Sequence, residues 1–221
     1  MTDYFGFKPS DTLTQMIEEA EHIISNKVDT DYYPYRNALA QRIAREMMDN
    51  LLVNLISVIP NPERQATMQK IVSSIESATE TLLKILMGKD DNQAVLKSYY
   101  FLKNDSMFID NEGQRRIGLA LSANTAQKIR QGFDAVSEDT TDLATFKAGL
   151  EAMNDAILDH FMNQFTNTLP LGMIKRKSIP IARTAVDSGL GIAMNKLLPQ
   201  LPQPALKRLA NFYSPFIVQI E

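Results

Sequence analysis

Apolar residues recur at intervals of three and four along almost the whole chain, and Gly and Pro fall at the joints between periodic segments rather than inside them. That pattern predicts helices joined by short turns. Leu13, Ile17, Ala20 and Ile24 share one face of a first helix from about Asp11 to Asn26, with Ser10 as its N-cap. A loop, Asp29 to Tyr35, leads to a long helix from about Arg36 to Ile59 whose last third is apolar nearly all round, so its end should be deeply buried. Pro60-Asn61-Pro62 sets an N-cap before a proline at the first helical position, and opens a helix to Gly88 that should pair with its predecessor as an antiparallel hairpin. Within it Met68, Val72, Ile75, Thr79, Leu82 and Leu86 step by four and three, the spacing of a packing seam.

A shorter helix is expected from Asp90 to Lys103, carrying Val95, Tyr99, Tyr100 and Leu102. Asn104 to Gly118 is the least helical piece. Met107-Phe108-Ile109, the turn-forming Asp110-Asn111-Glu112-Gly113 and Arg115 to Leu119 fit either a small β-hairpin or a loop. Helices resume from Ser122 or Ala123 to Ser137 and from about Thr141 to Thr168, the latter with Leu143, Phe146, Leu150, Met153, Ile157 and Phe161 on its core face. Pro170-Leu171-Gly172 closes that helix, and six of the ten prolines lie in the remaining 52 residues, where helices are expected from about Pro180 to Leu198 and Pro204 to Tyr213. The fold class is therefore all-α, a single-domain bundle of about seven to nine helices with room for one small β-hairpin in 107–119.

Composition leaves that picture in place. The chain has 221 residues, 44% of them hydrophobic and 22% charged, and a mean hydropathy of -0.19, as expected of a water-soluble globule. Residues 1–8 lack a basic segment followed by an apolar stretch, so no secretory signal is expected there. The densest apolar run, Leu51 to Ile59, is broken by Asn54 and Ser57 and is far too short to span a bilayer. Cysteine is absent, which removes disulfides, thiolate catalysis and cysteine metal sites, and favours a cytoplasmic location.

Charge changes the picture more. From Pro170 onward seven basic residues (Lys175, Arg176, Lys177, Arg183, Lys196, Lys207, Arg208) face two acidic ones, a balance of +5; the chain as a whole carries -3, so residues 1–169 carry -8. The chain divides into an acidic helical bundle, 1–169, and a basic, proline-punctuated tail, 170–221, expected to pack on it as one domain. Ile179, Val186, Leu190, Ala193 and Leu197 make one apolar stripe along the tail, which either seats it on the acidic body or meets an external partner. With Lys175, Arg176, Lys177 and Arg183 as the interaction surface, that partner would be an acidic protein or an anionic membrane surface, and self-association into a homo-oligomer is a further option. A sequence pI of 5.5 argues against nucleic acid.

The two histidines point in different directions. His22 lies about 180° from Leu13 around the first helix, which places it in solvent, and its Glu19-x-x-His22 element lacks the second copy and the extra glutamates a di-metal bundle site needs. His160 falls within about 40° of the Phe146 direction and Gln164 almost on it, so both are expected to face the core. A buried pair of that kind is either a satisfied polar network or one wall of a pocket lined by Met153, Ile157 and Phe161. No Gly-x-Ser-x-Gly elbow, Walker motif or Gly-x-Gly-x-x-Gly occurs, and Asp29 to Tyr35 and Asp110 to Gly113 offer too few ligands for calcium. No cofactor or metal is expected. The leading expectation is a non-enzymatic helical interaction protein, regulatory or scaffolding, using the basic C-terminal helical segment or an apolar bundle face; the alternative is a small-molecule-binding bundle, with an enzyme among its variants, whose pocket lies near His160.

Overall fold

A computed structural model describes residues 1–26, 33–53, 56–57, 59–86, 96–136 and 141–220. Most of the loop Asp29 to Tyr35, the first part of the expected Asp90 to Lys103 helix, Gly88 and Ser137 lie outside them. In chain order the elements are β1 (Thr2–Phe7), α1 (Asp11–Ser25), α2 (Tyr33–Met48), α3 (Pro62–Leu86), α4 (Leu96–Asp105), β2 (Met107–Ile109), β3 (Arg115–Leu121), α5 (Ala123–Asp134), α6 (Leu143–Leu158), α7 (Met173–Ile192), α8 (Gln203–Tyr213) and β4 (Ile217–Ile220). Three helices run on into π-helical stretches: α2 into Asp49–Val53, α6 into Asp159–Gln164 and α7 into Ala193–Leu197.

The fold is mostly helical but not all-α. The hairpin forms, and two further strands join it in an antiparallel sheet of order β2-β3-β1-β4. β1 and β4 pair from opposite ends of the chain, with Thr2 opposite Ile220 and Phe5 opposite Ile217. Neither strand has a local partner, so neither a hairpin turn nor long alternation betrays them in sequence. Gly6 stands directly opposite Gly118 across β1 and β3, and a Cβ on Gly118 would lie 1.8 Å from the Phe5 carbonyl oxygen. The turn after β2 is fixed by Asp110, whose carboxylate accepts from the backbone of Glu112 and Gln114 and, at 2.7 Å, from Arg116 Nε, while Gly113 supplies the positive φ of 75°. Arg116 also donates to the carbonyls of Gly6 and Pro215, tying the hairpin to β1 and to the segment before β4.

Helix signals were legible where caps were strong. Ser10 Oγ accepts from Leu13 N, and Asn61 Oδ1 accepts from Glu63 N and Arg64 N. Ser10 also donates, through N–H and hydroxyl, to the Glu46 carboxylate on α2. Burial pushes that carboxyl's pKa up, but Ser10 and Arg42 outweigh it and hold the group below its ordinary range.

Four expectations need correction. Gly149 lies inside α6 rather than at a joint, and its backbone meets Gly132 of α5 so closely that a Cβ there would come 2.8 Å from the Gly132 Cα. Pro180 lies inside α7, which begins seven residues before the proline, at Met173; Pro180 is exposed, so the ring faces solvent. Leu51, Leu52 and Val53 are half-buried, not deeply buried, because α2 widens into its π stretch there. The α3 seam is otherwise as spaced, with Met68, Val72, Ile75, Leu82 and Leu86 buried. Its chief partner is α7 rather than α2: a Cβ on Gly189 would touch the side chains of Ile75 and Ile71.

Candidate functional site

His160 lies in the π stretch of α6 and is buried. Its Nε2 is 2.8 Å from the hydroxyl of Ser106, a fully buried residue between α4 and β2. The rings of Phe101 and Phe161 flank it with centroids 4.9 and 4.7 Å away. Burial lowers the His160 pKa, and the nearby carboxylates of Asp105 and Asp159, with a hydrogen bond to the Gln164 side chain, oppose that only in part. Serine and histidine at this distance are the first two members of a nucleophile-base arrangement. A serine with no exposed surface cannot meet a substrate, however, so the pair reads as a satisfied polar link between α6 and the α4–β2 junction.

Gln164 does not face the core. It is exposed and donates to Asp159 Oδ2 at 2.8 Å. The cause is the π stretch, where Phe165 N–H reaches back five residues to the His160 carbonyl. Each such bond adds about one residue to the turn, and one residue rotates the following face by about 100°. The buried face accordingly passes to Phe165 and Thr166.

Of the other residues expected beside His160, Phe161 is in ring contact with it, and the three expected wall residues divide between two cavities. Ile157 and Phe161 line a central cavity of about 170 Å3 between α2, α3, α6 and α7, whereas Met153 lines a neighbouring one of about 70 Å3. Neither His160 nor Gln164 lines either.

On α7 the stripe of Ile179, Val186, Leu190, Ala193 and Leu197 turns inward. Val186 and Leu197 are buried, and Leu190 and Ala193 pack with them against the α3 seam. Another apolar set points out. Ile174 is 88% exposed, Met173 77% and Ile181 73%. At about 100° per residue Ile174, Ile181, Ala185 and Ile192 fall within about 20° of one direction, a quarter-turn from the buried Ala182, Val186 and Gly189. The spacing of seven between Ile174 and Ile181 within a basic run was the available sequence signal, and the expected stripe masked it.

The four basic residues differ in setting. Lys177 and Arg176 are exposed, Arg176 donating through Nε to the Leu171 carbonyl at 3.1 Å. Lys175 is half-buried, and Arg183 lies 3.6 Å from Asp187. No acidic residue occurs between Asp159 and Asp187. Among the described residues no group of three or more His, Asp or Glu could hold a metal ion, and no helix is long and apolar enough to cross a membrane. Comparison with protein-family models, curated proteins and solved structures gives no match.

Proposed function

We propose that this chain is a non-enzymatic interaction protein that docks reversibly on an anionic lipid surface through the first half of α7. The observation that carries the reading is the exposure of Ile174 and Ile181, at 88% and 73%, beside Arg176 and Lys177. Large apolar side chains so exposed gain by leaving water, about 1.5 to 3 kcal/mol each if fully buried. Each cation near an anionic leaflet adds about 1 kcal/mol. Neither contribution alone sustains binding; together they give a reversible, salt-sensitive attachment, because the charged part decays over about 8 Å at physiological ionic strength. An all-acidic protein surface would satisfy the cations but leave the isoleucines without an apolar host, which favours lipid as the partner.

Sedimentation with vesicles tests this. The protein should pellet with vesicles containing phosphatidylglycerol and remain in the supernatant with pure phosphatidylcholine, and added salt should release it. Reversal of Lys175, Arg176 and Lys177 to Glu should abolish pelleting, and the pair Ile174→Ser and Ile181→Ser should weaken it about tenfold or more. Pelleting that is unchanged by the triple reversal sinks the role of α7.

A further inference from the structure

The central cavity and its smaller neighbour share Leu52, Asn154 and Leu190 in their walls, so the two spaces adjoin and form a larger and a smaller lobe on either side of these side chains. All three π-helical stretches of the described residues border it. Leu51 and Leu52 come from the α2 stretch, Phe161 and Met162 from that of α6, and Met194 and Leu197 from that of α7. A π turn lengthens a helix by about one residue and breaks the nesting of its side chains into a neighbour, and such turns occur often at functional sites. Three of them converging on one void is not how a bundle closes its core.

The chemistry of the walls defines what the space can hold. Among the described residues no charged side chain and no histidine lines either lobe. The lining is aliphatic and aromatic except for Thr79, Asn154, Thr166 and Tyr213. Two of these are engaged: Thr166 donates to the Met162 carbonyl at 2.6 Å and Tyr213 to the Leu51 carbonyl. Asn154 borders both lobes, and among the described residues nothing hydrogen-bonds its side chain. We propose that this space is a binding site for a compact, uncharged, largely hydrocarbon small molecule with one hydrogen-bonding group, which the Asn154 amide receives.

The size agrees with that class. A dry apolar cavity of about 150 Å3 admits one benzene ring. The larger lobe, at about 170 Å3, takes a ring with a short substituent, with Asn154 in its wall toward the 70 Å3 lobe. A charged ligand is excluded because nothing in the wall would offset its loss of water.

Two probes of the same shape separate the apolar and polar parts of the site. p-Xylene and p-cresol differ only in a methyl against a hydroxyl group. Calorimetric titration of the full chain, without lipid, should give saturable one-to-one binding of both. Asn154→Leu should weaken p-cresol about tenfold and leave p-xylene unchanged or tighter. Ala44→Phe, which pushes a ring from α2 into the larger lobe, should abolish both while the protein still melts cooperatively at or above the wild-type temperature. Should that variant fail to fold, Ala44→Leu serves with a partial loss of both probes. Absence of saturable binding to the folded wild type overturns the site, as does binding that survives filling at position 44. Equal loss of both probes in Asn154→Leu overturns the role of Asn154. Because no vesicle enters the assay, its failure leaves the lipid-docking reading standing, and the reverse holds.

Discussion

The two halves of the molecule pack to different standards. Around Phe146, which is fully buried, the sheet, α5, the first part of α6 and α8 bury Leu119, Ile129, Phe133 and Leu206 in one cluster, whose far edge at Leu209 and Tyr213 borders the smaller cavity. There α5 and α6 approach until Gly132 and Gly149 touch. Around Leu158, the helices α2, α3 and α7 and the end of α6 line a partly open cavity of about 170 Å3. The close half has regular helices and backbone contacts fixed by glycine. The open half has three helices that widen into π turns where they meet. Helices nest when their ridges keep a constant pitch, and a widened turn interrupts that pitch on both sides of the contact. The void thus follows from local helix geometry and not from a shortage of apolar residues.

Truncation should expose the difference most strongly. Phe146→Ala, in the close half, should cost about 3 to 5 kcal/mol, because a full set of neighbours loses contact and cannot collapse. For a chain of this size that lowers the melting temperature by about 6 to 20 °C. Leu82→Ala, at the wall of the cavity, should fall near the lower end of its usual range, about 2 kcal/mol, since part of its surface already faces empty space. Urea unfolding of both variants measures the gap. Equal costs would mean that the two halves are equally well packed.

Enlargement should change sign between the halves. Ala126 has no exposed surface and sits inside the Phe146 cluster, so Ala126→Leu should destabilise by about 1 to 3 kcal/mol through overpacking. Ala44→Leu adds the same atoms at the cavity wall and should be neutral or stabilising by about 0.5 to 2 kcal/mol. The same denaturation experiment decides, and destabilisation by Ala44→Leu would show that the wall cannot accept added volume.

The halves also differ in how much of them the sequence disclosed. The α3 seam, the Ser10 and Asn61 caps and the core face of α6 as far as Ile157 follow from period and capping chemistry, which are local. β1 and β4 do not, because each is stabilised by a partner at the far end of the chain or in the middle of it, and strands of six and four residues carry little pattern of their own. Gly149 was misplaced for a related reason. A glycine inside a helix is unfavourable locally and makes sense only once Gly132 is seen against it. The candidate site suffered most. Counting at 100° per residue is sound until a π turn intervenes, and the count to Gln164 crossed one. His160, at the start of that stretch, was placed correctly in the core, whereas Gln164, at its end, was not. The outward isoleucines of α7 are hidden in the sequence pattern because one helix carries two apolar sets a quarter-turn apart.

The mildest effect concerns the link beside the cavity, where His160 joins Ser106. Burial holds the folded-state pKa of His160 below its ordinary value of 6.5. The unfolded chain therefore binds this proton more readily than the folded one. Stability from this group is complete above pH 6.5 and is lost as pH falls below it toward the folded value. The buried carboxylates leave that window clear. Glu46 and Asp110 both feel burial, but hydrogen bonds from Ser10 and Arg42 in one case, and from Arg116 and the turn backbone in the other, hold them below their ordinary 4.5 and 3.8. Their stabilisation is present above those values and fails only in stronger acid. Between pH 7.5 and 5 the urea midpoint of the wild type should fall, and that of His160→Gln, which keeps a hydrogen-bonding partner for Ser106 without a titrating ring, should fall less. Parallel profiles for the two proteins would mean that His160 is not held neutral by its surroundings, and the polar link would then have to tolerate an imidazolium against Phe101 and Phe161.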